Sequence, residues 1–157
     1  MLKASKGQTI IEATIALSAI LLTLTAIAIT ITTGLSNTQF IKNQGLASKY
    51  AQQGMEHLRY LRNNDIATFN SYIEGNIYCM AENRSIVVVP GGCQVNISDS
   101  FIRSLEFSKS AFECNNSGTK VEVSVNWSSG KCSESNRFCH ESKLISCFSD
   151  SLGGATL

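Results

Sequence analysis

The sequence predicts an α+β protein: a long N-terminal hydrophobic helix packed against a small, disulfide-braced antiparallel β-sheet. Three observations carry this expectation. From Ala13 to Ile31 the chain is almost all Ala, Ile, Leu and Thr, and no charge appears between Glu12 and Lys42. Further on, Val121, Val123, Val125 and Trp127 alternate with polar residues at the period of a strand with one buried face. All six cysteines lie between Cys79 and Cys147, none in the N-terminal half.

Residues 8–35 form the first element. A helix rises about 1.5 Å per residue, so roughly 20 apolar residues cross the hydrocarbon of a bilayer, and this run is longer. Its six threonines (Thr14, Thr23, Thr25, Thr30, Thr32 and Thr33) lower helical propensity, but each hydroxyl can bond a carbonyl one turn back. In lipid the backbone has no other means of satisfying itself, so helix is the expected state. Glu12 is the lone acid of the segment. A carboxylate in such surroundings is costly without a partner and reads as functional by default.

Residues 36–64 continue as an amphipathic helix. Ala47, Ala51, Gly54, Leu58 and Leu61 recur at steps of three and four, with Tyr50 and Met55 alongside and charged or amide residues elsewhere. Asn63-Asn64-Asp65 is the expected stop, because these side chains compete with helical bonding.

Residues 65–157 are expected to be one small sheet domain. Ser85 to Val89 is an apolar β-branched run closed by Pro90-Gly91-Gly92, and Cys93 to Ile97 alternates weakly as a second strand. Phe101, Arg103, Leu105 and Phe107 share the apolar parity of a third strand, on which an arginine is unusual. The Val121 to Trp127 strand follows, then a polar loop, then a short strand from Lys143 to Phe148. Short connections favour an antiparallel meander covered by the apolar stripe of the helix. Trp127 and Phe101 are expected in its core, and Gly153-Gly154-Ala155-Thr156-Leu157 as a frayed end.

An even number of cysteines in a small domain beyond a membrane-length segment reads as disulfides in an oxidising compartment. Six cysteines allow fifteen pairings, and spacing alone selects none. The order of strands suggests Cys79 with Cys93, Cys132 with Cys139, and Cys114 with Cys147. Zinc is disfavoured, since no two cysteines stand two to four residues apart and His140 is alone beside Cys139. A catalytic thiol is disfavoured too, because His57 lies on the helix with no third group evident. No phosphate-cradling loop, paired catalytic carboxylates or nucleophile elbow occurs, so neither an enzyme nor a cofactor is expected. The net charge is +1, which suggests no nucleic-acid partner. The glycosylation sequons at Asn83, Asn96, Asn115 and Asn126 are unremarkable in a chain rich in Ser and Asn.

The N-terminal residues Lys3, Lys6, Gly7, Gln8 and Glu12, followed by the apolar run, resemble the processing motif of type IV prepilins and pseudopilins. The stretch from Ala51-Gln52-Gln53-Gly54-Met55-Glu56 through Arg59, Leu61, Arg62 and Asn63 is similar to one frequent in their minor members. The resemblance implies a type IV pilin-like fold with residues 1–7 as a leader. A prepilin peptidase would cut between Gly7 and Gln8 on the cytoplasmic side and the new amine would be methylated. Removing Lys3 and Lys6 would take the net charge from +1 to −1 (1 − 2). It further implies that Glu12 faces the amine of a neighbouring subunit, that an inner-membrane assembly platform extracts the helix from the lipid bilayer, and that the product is an extracellular or periplasmic filament. Gln8 stands where the family usually has Phe, a departure that bears on processing and methylation, and the absence of Gly or Pro between Ala13 and Thr33 points to a minor subunit over a bulk one.

Two other fates compete. Ala26-Ile27-Ala28 has the small-x-small form of an ordinary signal-peptidase site, which would release a soluble module beginning at Ile29. A plain membrane anchor would leave Met1 in place. Lysines flank both ends of the apolar run (Lys3 and Lys6, Lys42 and Lys49), so charge sets its orientation only weakly.

Overall fold

A computed structural model of the chain describes residues 8–114 and 118–149. Gly7, Asn115 and the segment Gly153 to Leu157 lie outside the described residues. The chain divides into two compact units, Met1–Ile41 and Lys42–Leu157. Helix α1 (Gln8–Asn64) contributes to both. The second unit therefore begins at Lys42, beyond the change of pattern expected at Leu35.

In the first unit every residue from Thr9 to Gln39 is exposed. The hydroxyls of Thr14, Thr23, Thr25, Thr30 and Thr32 donate to carbonyls three or four residues earlier, at 2.8–3.0 Å. Each threonine thus satisfies its own polar atom within the helix and presents a methyl outward. This segment is one helix long and apolar enough to cross a membrane.

In the second unit α1 meets a five-stranded, wholly antiparallel sheet made of β1 (Ile77–Met80), β2 (Ile86–Val88), β3 (Phe101–Ser108), β4 (Gly118–Trp127) and β5 (His140–Ser149). The spatial order is β2-β1-β3-β4-β5. Ala47, Ala51, Met55 and Leu58 of the helix are at most 2% exposed. They form the core with Met80, Leu105, Phe107, Val121, Val123, Val125 and Trp127 from the sheet.

Two expectations are corrected here. Cys93 to Ile97 is not a strand: Ile97 makes only an isolated bridge to Phe101 in a tight turn. The strand that was not expected is β1, which precedes β2 and is too short and too mixed in composition to show a period. The sheet is also not a simple meander, because β3 pairs with β1 and not with β2. The Cys79–Cys93 bridge ties the segment after β2 back to β1. Ser85 to Val89 contributes only the edge strand β2, where Val87 and Val88 stay about half exposed.

A short helix, α2 (Ile66–Ser71), was not expected. Asp65 both follows the end of α1 and caps α2, accepting from the Thr68 N–H at 3.0 Å and the Thr68 hydroxyl at 2.7 Å. α2 delivers buried Phe69 to an aromatic cluster with Tyr72, Tyr78, Phe107 and Phe148. The disulfides join Cys79–Cys93, Cys114–Cys147 and Cys132–Cys139, with Cα separations of 5.4, 5.5 and 5.5 Å.

Candidate functional site

The N-terminal candidates sit on α1, which includes Gln8 as its first described residue. Glu12 is exposed. The positions one turn away, Gln8, Thr9, Ile15 and Ala16, hold no base, and none of the described ion pairs involves Glu12. Insertion scales put an unpaired acid at the centre of a bilayer at about 3 kcal/mol, so a carboxylate here favours shallow depth or a cation from another source.

The second candidate is Arg103, the arginine on the apolar parity of β3. It is 2% exposed. Its Nε donates to the Met80 carbonyl at 3.2 Å, Nη1 to the Tyr50 carbonyl at 3.0 Å and Nη2 to the Ala81 carbonyl at 2.8 Å. One planar guanidinium therefore ties the C-terminal part of α1 to the end of β1. Gly54 makes this possible, because a Cβ there would stand 3.2 Å from Arg103 Cδ and 3.1 Å from Val123 Cγ1. Asn96 completes the frame: its side-chain oxygen accepts the Arg103 N–H at 2.8 Å and its Nδ2 donates to the Arg103 carbonyl at 2.9 Å. The amide thus stands in for a strand beside β3 where β1 has ended. That use of Nδ2 argues against a glycan on Asn96.

Burial, then the charge of Arg84, lowers the Arg103 pKa to about 10, with Glu82 and Tyr50 opposing; the group stays charged at neutral pH. His57 is held below its ordinary value, by partial burial first and by Arg84 and Arg103 next. On the outer face of the sheet Lys120 and Lys143 bridge Glu113, Glu122 and Glu141 at 2.9–3.9 Å. Pairs this exposed orient the surface more than they stabilise it.

The cysteines are brought together in pairs, not as one centre. Cys132, Cys139 and His140 have their donor atoms within 4.8 Å of one another. Both sulfurs are joined in a disulfide and so offer no thiolate to a metal. His140 Nε2 is 2.8 Å from Ser129 Oγ and its ring packs against Trp127, which places this contact at the base of the β4–β5 loop.

Sequence reasoning singled out Arg103 as anomalous but assigned it no partners, and it missed Gly54 and Asn96 as its supports. The only signal for them was a glycine within an otherwise unbroken apolar stripe. No protein family, curated protein or solved structure matches the chain.

Proposed function

We propose that the chain is a minor pilin or pseudopilin, a structural subunit of a type IV pilus or type II secretion-like filament. The observation that carries this reading is Glu12: one exposed carboxylate near the start of a membrane-length apolar helix, five residues past Gly7. The helix continues into a small disulfide-braced sheet domain, an organisation that suits an anchored subunit with an exported head.

In this reading the subunit waits in the inner membrane with its N-terminus in the cytoplasm. Prepilin peptidase cuts after Gly7, and an assembly platform moves the helix from lipid into a bundle of sister helices. The Glu12 carboxylate pairs with the amine of a neighbouring Gln8. A buried pair of this kind adds little net stability but sets register, because a slip leaves two uncompensated charges. The threonine hydroxyls of Thr14, Thr23 and Thr30 suit both environments, since their O–H donors are satisfied within the helix.

Mass spectrometry of the mature N-terminus tests the processing step. A chain beginning at Gln8, with or without a methyl group, is expected. Ile29 as first residue would replace this reading with a secreted disulfide-rich module, which the Ala26-Ile27-Ala28 sequence favours. An intact Met1 would favour a plain anchor. Glu12→Ala is expected to insert into the membrane normally and to enter filaments at less than about one tenth of the wild-type level, as a loss of roughly 1.4 kcal/mol or more requires. Equal incorporation of both proteins removes the proposed role of Glu12.

A further inference from the structure

Gln53, Glu56, His57 and Tyr60 lie one helical turn apart on a single face of α1. With Arg84, from the turn between β1 and β2, they line an open cleft of about 340 Å³. We propose that this cleft binds a carboxylate group, gripped by the Arg84 guanidinium and the His57 imidazole.

The charge arrangement supports an anion of this kind. Arg84 lines the cleft itself, and the buried Arg103, outside its lining, adds a second positive charge whose field reaches His57. Arg103 gives its described side-chain hydrogen bonds to carbonyl oxygens and none to a carboxylate. The described ion pairs all lie on the outer face of the sheet, and none involves Arg84. Tyr60 stacks on His57 with its ring centroid 6.4 Å away, and together with Gln53 it supplies neutral donors.

Arg84 also occupies a position that favours glycine. The three residues Glu82-Asn83-Arg84 join the hairpin, and Arg84 has φ +69° while its N–H bonds the Ala81 carbonyl at 3.0 Å. A side chain in this left-handed conformation costs about 1–2 kcal/mol relative to glycine. The turn bears that strain and holds a guanidinium over the cleft.

Glu56 on the same wall selects among anions. It opposes a second negative charge, which disfavours a phosphate dianion, while a planar carboxylate matches the fork of one guanidinium. Glu56 can also accept a hydrogen bond from a hydroxyl or amide next to that carboxylate. The acid is either a free small molecule or a carboxylate borne by a second copy of the chain, and the cleft chemistry is the same for both. This proposal stands independently of filament assembly.

The test uses the full oxidised chain in detergent micelles, with its two histidines followed by NMR. Sodium acetate is titrated against sodium chloride at equal ionic strength. Saturable shifts and a raised titration midpoint are expected at His57, with His140 as the unmoved internal control. Inorganic phosphate at the same ionic strength should produce the smaller effect. Arg84→Gly relieves the turn and keeps the fold, and it should abolish the acetate response. If the carboxylate belongs to a second copy, the His57 signal will depend on protein concentration without acetate and lose that dependence in Arg84→Gly. If it is a free acid, the signal will be independent of protein concentration and will respond to acetate more strongly than to phosphate. A His57 response that survives Arg84→Gly, is matched at His140, is reproduced by chloride, or never appears would overturn the proposal.

Discussion

Arg103 is the residue on which the packing of helix against sheet turns. Its guanidinium meets Tyr50 on α1 and Met80 and Ala81 at the end of β1, so truncation removes three charge-assisted bonds and opens a cavity together. Arg103→Ala should destabilise the head by about 2–4 kcal/mol. Arg103→Lys should recover less than half of that, since one ammonium cannot span three carbonyls from a single position. The single tryptophan, Trp127, is 2% exposed, and its fluorescence in denaturant measures both variants. His57 makes a pH prediction. Its folded pKa lies below 6.5, so the unfolded chain takes up the proton first. The His57 contribution is therefore complete above about 6.5 and is lost as pH falls through that value toward the folded one. The lowered carboxylates Asp65, Glu113 and Glu122 act only at more acidic pH. The Trp127 unfolding midpoint should fall between pH 7.5 and 5.5 in the wild type, and His57→Gln should flatten that slope.

Among elements, α1 is shaped by what its buried stripe omits. Gly54 lets the helix approach Arg103 and Val123 so closely that a Cβ there would stand 3.2 and 3.1 Å from them and would require those side chains to shift slightly. Gly54→Ala gains roughly 1 kcal/mol of helix propensity and loses a similar amount to crowding, so its unfolding midpoint should stay near wild type. Gly54→Leu has no such balance and should cost at least about 2 kcal/mol by the same denaturation. The helix stop at Asn63-Asn64-Asp65 was legible in the sequence, since Asx side chains compete with helical bonding. The restart at Ile66 was not. The same Asp65 that signals the end of α1 also caps α2, and a six-residue helix has too few positions to show a period. β1 escaped for a similar reason, being four residues with a cysteine and a methionine among them.

At the scale of the whole molecule, disulfides add stability that so small a core lacks. The three bridges close separations of 14, 33 and 7 residues. In the chain-entropy account the longest loop gains most, about 3.7 kcal/mol for Cys114–Cys147 against about 2.4 kcal/mol for Cys132–Cys139. Replacing both cysteines of a pair with serine should therefore lower stability more for Cys114–Cys147 than for Cys132–Cys139, by about 1 kcal/mol, in denaturant unfolding. A reversed order would show that native contacts around the β4–β5 loop outweigh loop entropy. The apolar helix adds nothing to that domain through its residues 9–39, all of which are exposed. In the proposed filament those residues find their partners in other subunits, which is why Glu12→Ala should affect incorporation and leave the folding of the head unchanged.

The amino-acid sequence alone determined the features that depend on local pattern: the membrane-length helix, its amphipathic continuation, the alternation of β3 and β4, and cysteines confined to one domain. Such patterns are repeated over many residues, so their period survives without any knowledge of neighbours. Only the tertiary structure decided the order of the strands, because β1 pairs with β2 on one side and with β3 on the other, and the second pairing joins residues such as Ile77 and Glu106 that are far apart in the chain. It alone also decided what Arg103 does. A buried guanidinium is tolerable only where acceptors converge, and its three carbonyls come from residues 22 to 53 positions away. Local periodicity holds no record of such convergence.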